Sequence, residues 1–426
     1  METILLRDGV RLHAFTEERF KSEYLSANLI CPPDLSKTGP SVLLPSLLGQ
    51  SNGVYPNSAA FNRALEQAYN TSFSCRMFRI GESRIQPFAV SWLANRFVPD
   101  DFSTEDFALR FLKDTMLFPH LRNGLFPEDE LKKQIRNRID DLSAEKNNKQ
   151  RYALKQCVRS LCKGEPFATP LGGTAEELQQ VTPESLYTYY RSILQKAPGE
   201  FYYFGRTAPE LLAKRLEEMF SPLFSSKQPL IRESVSRPKD EVLKVNEEAI
   251  ATQSTLCLGF KTPITLDHPL HPAQVMMKEI LADSPVSLLF TNVREKESLC
   301  YYCSALSESG KGLFVISCGI DRKNRKRAED AILSQVEAMR KGLFSEDLLA
   351  LAKKALINSY KDLYDSPAYL EAWYLRRNLS GMWDSPADMA KRIEGVTRDE
   401  IVACAESLVL DTVYFLEGQK GGENDD

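Results

Sequence analysis

Only four of the 426 residues are histidine: His13, His120, His268 and His271. A hydrolytic zinc site built on a helix needs two imidazoles four apart, on one face, with a glutamate between them to activate the metal-bound water. No pair here has that spacing. His268 and His271 are three apart, with Asp267 and Asp283 within sequence reach, but the stretch is proline-rich and reads as a loop. Cys300 and Cys303 have the Cys-x-x-Cys spacing of redox pairs and half zinc sites. A four-cysteine zinc site needs a second such pair, and Cys157 and Cys162 are five apart. Cys300 and Cys303 also fall on an expected strand, where residues three apart face opposite sides, so they read as ordinary half-buried thiols. Leu171-Gly172-Gly173-Thr174 is a turn before a helix, not a phosphate-binding loop, and no Gly-x-Ser-x-Gly elbow is present.

The elements that must position any site are arranged as a repeat. Gly124-Leu125-Phe126-Pro127-Glu128-Asp129 returns as Gly342-Leu343-Phe344-Ser345-Glu346-Asp347. Val181-Thr182-Pro183-Glu184 returns as Val396-Thr397-Arg398-Asp399. Each copy opens a helix, and the second is followed by an apolar strand, at Phe201-Tyr202-Tyr203-Phe204 and at Val413-Tyr414-Phe415-Leu416. Matches in the same order at nearly one offset indicate a duplicated domain. Two like domains facing each other would form a ligand-binding cleft. The expected division is 1–222, a linker at 223–246, a second domain at 247–420 and an acidic tail at 421–426. The linker carries Ser225, Ser226, Pro229, Ser234, Ser236 and Pro238 and few apolar residues.

In the first half, strands are expected at 4–7 and 11–16 around Asp8-Gly9, at 24–31, and as a hairpin at 72–80 and 85–93. Helices are expected at 41–49, 58–68, 104–116, 128–161, 183–194 and 209–219, with a strand at 200–204. In the second half the strands are 253–259, 299–306, 312–320 and 412–416. The helices are 272–282, 286–296, 327–341, 346–363 and 397–408. Strands grouped and then crossed by helices make an α+β fold, each domain a mixed or antiparallel sheet with helices on one face.

Apolar residues make up 43% of the chain, enough for two cores, and the net charge of -4 argues against a nucleic-acid protein. The basic run Arg322-Lys323-Asn324-Arg325-Lys326-Arg327 is local and reads as a solvated helix start. The N-terminal residues do not form a signal peptide, and no run of about 18 apolar residues exists to span a membrane. Nine scattered cysteines, an odd number, fit free thiols in a reducing cytoplasm.

Residues 285–304 carry Leu289-Phe290, then Arg294-Glu295-Lys296, then Leu299-Cys300-Tyr301. This segment resembles the second-domain motif of the pitrilysin/insulinase-type zinc peptidases, and the likeness continues into Lys311-Gly312-Leu313-Phe314. The duplicated α+β domain agrees with that family. The resemblance implies that Arg294 and Tyr301 hold substrate: a guanidinium and a phenol donate to peptide carbonyls whatever the side chains of the peptide. Read from the residues alone, Arg294 could instead pair with Glu297 or Glu295, and Tyr301 could be core.

Active members carry His-x-x-Glu-His near their start. In this chain the corresponding positions fall within 41–49, where the ligand positions are Val42 and Ser46 and the base position is Pro45. None binds zinc or moves a proton. The region of the family's third ligand is 136–143, where Asp140 and Asp141 are the nearest acids and read as solvated surface. The chain is therefore expected to hold no cofactor, with zinc carried by a homologous His-x-x-Glu-His partner subunit. The resemblance implies a non-catalytic, peptide-binding half of a heterodimeric metallopeptidase. Within the family it is most similar to bacterial zinc-less members associated with the 5-aminopentanol modification of elongation factor P. The other reading is a peptidase-derived scaffold that holds a polypeptide without any proteolytic role. An unrelated enzyme using Cys300 or Cys303 is a third.

Overall fold

The computed structural model describes residues 1–33, 37–223, 235 and 237–419. The linker residues 224–234 and 236 and the tail 421–426 of the expected domain scheme lie outside the described residues. The chain divides into two compact units. The first comprises the described residues of Met1–Ser143 and Pro170–Ile231, and the second those of Ala144–Thr169 and Arg232–Asp426.

In chain order the first half forms β1 (Glu2–Arg7), β2 (Val10–Thr16), β3 (Ser22–Cys31), α1 (Thr38–Leu48), α2 (Ser58–Gln67), β4 (Ser72–Ser74), β5 (Phe78–Ile80) and β6 (Ser83–Leu93). It continues with α3 (Thr104–Leu117), α4 (Glu128–Glu145), α5 (Lys149–Leu161), α6 (Ala175–Gln179), α7 (Pro183–Lys196), β7 (Gly199–Gly205) and α8 (Pro209–Phe220). The second half forms β8 (Leu243–Ile250), β9 (Ser254–Lys261), α9 (His271–Lys278), β10 (Cys300–Glu308), β11 (Leu313–Ile320), α10 (Arg325–Arg340) and α11 (Glu346–Asp362). It closes with α12 (Pro367–Leu379), α13 (Pro386–Gly395), α14 (Arg398–Glu406) and β12 (Val409–Gln419). The α+β expectation holds, with two sheets each packed by helices.

The duplication is visible in the strand connectivity. In the first sheet, β7 lies parallel to β2 and antiparallel to β3, which pairs antiparallel with β6. In the second, β12 lies parallel to β8 and antiparallel to β9, which pairs antiparallel with β11. In both, the last strand of the unit inserts between its first two long strands. Sequence reading missed β8, whose first four residues, Leu243, Lys244, Val245 and Asn246, were expected in the linker. It is an edge strand whose side chains alternate between half-buried and exposed, and so lacks the apolar run of its neighbours.

Each sheet turns one face to the helices of its own half. In the first unit Leu25, Ala27 and Leu29 of β3 and Phe88, Val90 and Trp92 of β6 pack with Leu43 and Leu44 of α1 and Leu109 and Leu112 of α3. In the second, Leu256, Leu258 and Phe260 of β9 and Phe314 and Ile316 of β11 pack with Ile332 of α10 and Ile401 of α14.

The long helix expected over 128–161 is two helices, and the second belongs elsewhere. Asn148 ends the first run: its side chain accepts the Arg151 N–H and caps α5. The stripe Ala153, Cys157 and Leu161 of α5 then packs on the far face of the second sheet, against Cys257, Val315 and Tyr414. That sheet is thus covered on both faces, which explains why β9 and β11 are buried along their whole length. Gly259 makes the contact possible, because a Cβ there would lie 2.6 Å from a Leu161 methyl. Polar contacts fix the segment further. Lys311, fully buried, donates to Glu165 at 3.0 Å, and Tyr152 donates to Glu247 at 2.6 Å. Lys239 places its ammonium 3.3 and 3.4 Å from the Ser160 and Leu161 carbonyls at the negative end of α5.

Candidate functional site

Val42, Pro45 and Ser46, where the sequence resemblance would put a zinc motif, sit on α1. Val42 and Ser46 are half-buried and Pro45 is buried inside the helix. Val42 of α1 and Ile135, Ile139 and Leu142 of α4 are each packed against the apolar core of the first unit. Asp140 and Asp141 are exposed on α4. The start of α1 is held by Arg84, buried on β6, which donates to the Ser41 hydroxyl and the Leu171 carbonyl, both at 3.0 Å. The hydroxyl and carbonyl acceptors solvate a guanidinium whose pKa burial pulls down.

None of the histidines forms a substitute. His13 is buried between strands with both ring nitrogens engaged: Nδ1 is 3.0 Å from Thr3 Oγ1 and Nε2 is 2.6 Å from Glu200 Oε2. Glu200 also accepts from Arg11, which makes it a sheet-bracing carboxylate rather than an open ligand. His268 Nδ1 accepts the Leu270 N–H at 3.1 Å, and His271 is buried at the start of α9. Among the described residues no group of three or more His, Cys, Asp or Glu side chains is arranged to hold a metal ion. No helix among them is long and apolar enough to cross a membrane.

Arg294 and Tyr301 occupy an irregular corner of the second unit. Residues Glu279–Asp283 and Leu289–Lys296 are π-helical, where the sequence led us to expect ordinary helix. Such wide turns are rare and shift i+3 and i+4 neighbours out of register. Arg294 is exposed at the end of the second turn. Among the described residues it has no carboxylate partner, so the pairing with Glu295 or Glu297 does not form. Instead its guanidinium lies over the Phe290 ring, 4.7 Å from the centroid, which orients the fork without neutralising it. Tyr301 is not core: it is 51% exposed, and its hydroxyl donates to Asp321 Oδ1 at 3.0 Å. That hydrogen bond and the carboxylate charge raise the phenol pKa, so the hydroxyl keeps its proton and remains a donor. Asp321 was missed in the sequence because it lies across a hairpin, 20 residues away.

The exposure of Tyr301 has a local cause. β10 pairs with β11 as Cys300 to Ile320, then Tyr302 to Gly319, so Tyr301 is the extra residue of a β-bulge. Gly319 admits the Tyr302 ring, since a Cβ there would lie 2.3 Å from it. The bulge also overturns the expected facing of the two thiols. With one residue looped out, Cys300 and Cys303 fall on the same side, and Cys318 stands directly opposite Cys303 with the sulfurs 2.7 Å apart.

The chain matches the family model of the peptidase M16 inactive domain over residues 180–356. The likeness is to the M16 peptidases. A probable inactive metalloprotease, YmfF, of Bacillus subtilis is 27% identical over 414 residues, covering 97% of each chain. Among solved structures, a conserved protein from Enterococcus faecalis superposes with a TM-score of 0.91 at 25% identity, over 99% of both chains. An M16 inactive domain from Pseudomonas fluorescens has the same fold, with a TM-score of 0.84 at 15% identity over 99% of both chains. The chain thus shares the fold of an M16 inactive domain and carries no zinc ligand at Val42, Pro45 or Ser46 of α1.

Proposed function

We propose that this protein is the non-catalytic, substrate-holding subunit of a heterodimeric M16-type metallopeptidase, acting with a zinc-bearing homologue on peptides or unfolded polypeptides in the cytoplasm. The observation that carries the reading is a contrast within one chain. Val42, Pro45 and Ser46 leave the zinc position without chemistry, while Arg294 is held exposed, oriented and without a carboxylate partner among the described residues. A structural arginine would be paired. An unpaired guanidinium on an aromatic platform is preorganised for carbonyl or carboxylate acceptors brought by something else. Tyr301 supplies a second donor, which Asp321 positions until an acceptor replaces it. The proposal extends to a link with the 5-aminopentanol modification of elongation factor P, for which the support is the resemblance noted in the sequence.

The test is reconstitution with the zinc-bearing partner. One charge-assisted hydrogen bond is worth about 1.5–3 kcal/mol, so Arg294→Ala should lower peptide turnover by the complex roughly 10- to 150-fold. Turnover equal to that of the unmodified complex would contradict the assignment. An unchanged chain that binds polypeptide but supports no turnover by any partner would favour the scaffold reading.

A further inference from the structure

Cys303 of β10 and Cys318 of β11 stand directly opposite each other in an antiparallel ladder. Residues so paired have Cα atoms about 4.5–5.5 Å apart, inside the roughly 4.4–6.8 Å that a disulfide spans. The side chains also meet: the two sulfurs are 2.7 Å apart, against about 2.05 Å in a bond. Closing that gap asks for a side-chain adjustment and not for a change of strand register. Both side chains face the apolar core of the second unit, Cys318 within it and Cys303 packed against it. A disulfide there removes two weak S–H donors from apolar surroundings and leaves no polar group unsatisfied. Access differs between the two. Cys303 lies on the outermost strand of its sheet and is half-buried, whereas the other eight cysteines, Cys318 and Cys300 included, are buried.

We propose that Cys303 and Cys318 form a reversible cross-strand disulfide, closed by low-molecular-weight disulfides and opened by small thiols, with Cys303 the residue that meets the reagent. The register of the ladder, not thiol acidity, selects this pair. The pKa of Cys303 is pushed up chiefly by Cys300 and that of Cys318 by burial, so little thiolate is present and closure is slow.

Cys303 loses its proton and bonds to one sulfur of the small disulfide, whose S–S bond breaks and releases one small thiolate. Cys318 then loses its proton and attacks the Cys303 sulfur, which closes the cross-strand bond and releases the second small thiolate. The two protons pass to the two released thiolates, and two electrons pass from the cysteine pair to the small disulfide. Two small thiols reverse the sequence. Cys300 takes no part.

The test uses the full chain, purified reduced and incubated with excess oxidised glutathione under native conditions, then acid-quenched, alkylated and mapped by mass spectrometry. We expect one internal link, Cys303–Cys318, which reduced glutathione opens again, with Cys31, Cys75, Cys157 and Cys300 recovered as free thiols. Cys300→Ala should form the link no more slowly than the unmodified chain. In Cys318→Ala a glutathione adduct should accumulate on Cys303. Absence of the link after prolonged treatment with a large excess of oxidised glutathione would overturn the proposal. So would a link joining Cys300 to either residue, or an adduct on Cys300 instead of Cys303 in Cys318→Ala. Loss of the link in a Cys300→Ala chain whose circular dichroism matches that of the unmodified protein would also contradict it.

Discussion

Single side chains here are set by what their neighbours do with charge. Arg294 keeps its charge available because a ring, not a carboxylate, supports it. His271 shows the opposite treatment. It is buried, and that burial, reinforced by Arg377 and Arg392, pushes its pKa from the usual 6.5 to about 3. The unfolded chain therefore takes up a proton at this residue near pH 6.5, while the folded chain resists until about pH 3. Between those values the unfolded state binds more protons, so stability falls as pH drops through that window. From pH 6.5 to 5 the residue should contribute a loss of about 2 kcal/mol. Denaturant titrations of His271→Leu should show a shallower decline over this range than the unmodified chain. Equal declines would refute the assignment. Sequence reading placed His271 in a loop as a weak ligand candidate. Two arginines more than a hundred residues away, Arg377 on α12 and Arg392 on α13, cannot be located from a Pro-rich context.

At the scale of elements, the strands with strong turns were legible. Asp8-Gly9 and Gly81-Glu82 sit at their hairpins, and the cap residues Thr182, Ser345 and Thr397 start their helices. Three features were not legible, each for its own reason. The break before α5 rests on one asparagine cap inside a charged, helix-favouring run. β8 is half-exposed and lacks an apolar run. The bulge at Tyr301 is a property of pairing with β11, so a strict two-residue period assigned Cys300 and Cys303 to opposite faces. Of these, α5 has the largest consequence, because it carries part of the first half's sequence into the second unit. Gly259→Val tests that docking. The branched side chain would overlap Leu161 and should cost about 1–3 kcal/mol, with faster proteolysis within 144–169. A variant with unchanged thermal unfolding and unchanged cleavage in that segment would show that α5 is not held by this contact.

For the whole molecule, the two sheets share one connectivity, yet among the described residues neither copy brings together three or more His, Cys, Asp or Glu side chains that could hold a metal ion. In the first copy Val42, Pro45 and Ser46, the positions at which the sequence suggests a zinc motif would fall, carry no metal-binding side chain. The second presents Arg294 and Tyr301 on irregular backbone. The duplicated architecture and the missing zinc motif could both be read in the sequence, because one is a repeat and the other an absence of histidine spacing. How Arg294 and Tyr301 are held could not, since the Phe290 platform, the Asp321 acceptor and the bulge exist only in the folded chain. Under the proposal that Arg294 and Tyr301 hold substrate, the chain should work beside a homologue that carries the metal ligands. The most direct measurement is a gentle pull-down of the chain from an extract of its native cells, with stoichiometry of the captured partners determined by mass spectrometry. The account predicts an equimolar homologue carrying His-x-x-Glu-His. Recovery of the chain only with itself or with unrelated proteins would contradict it.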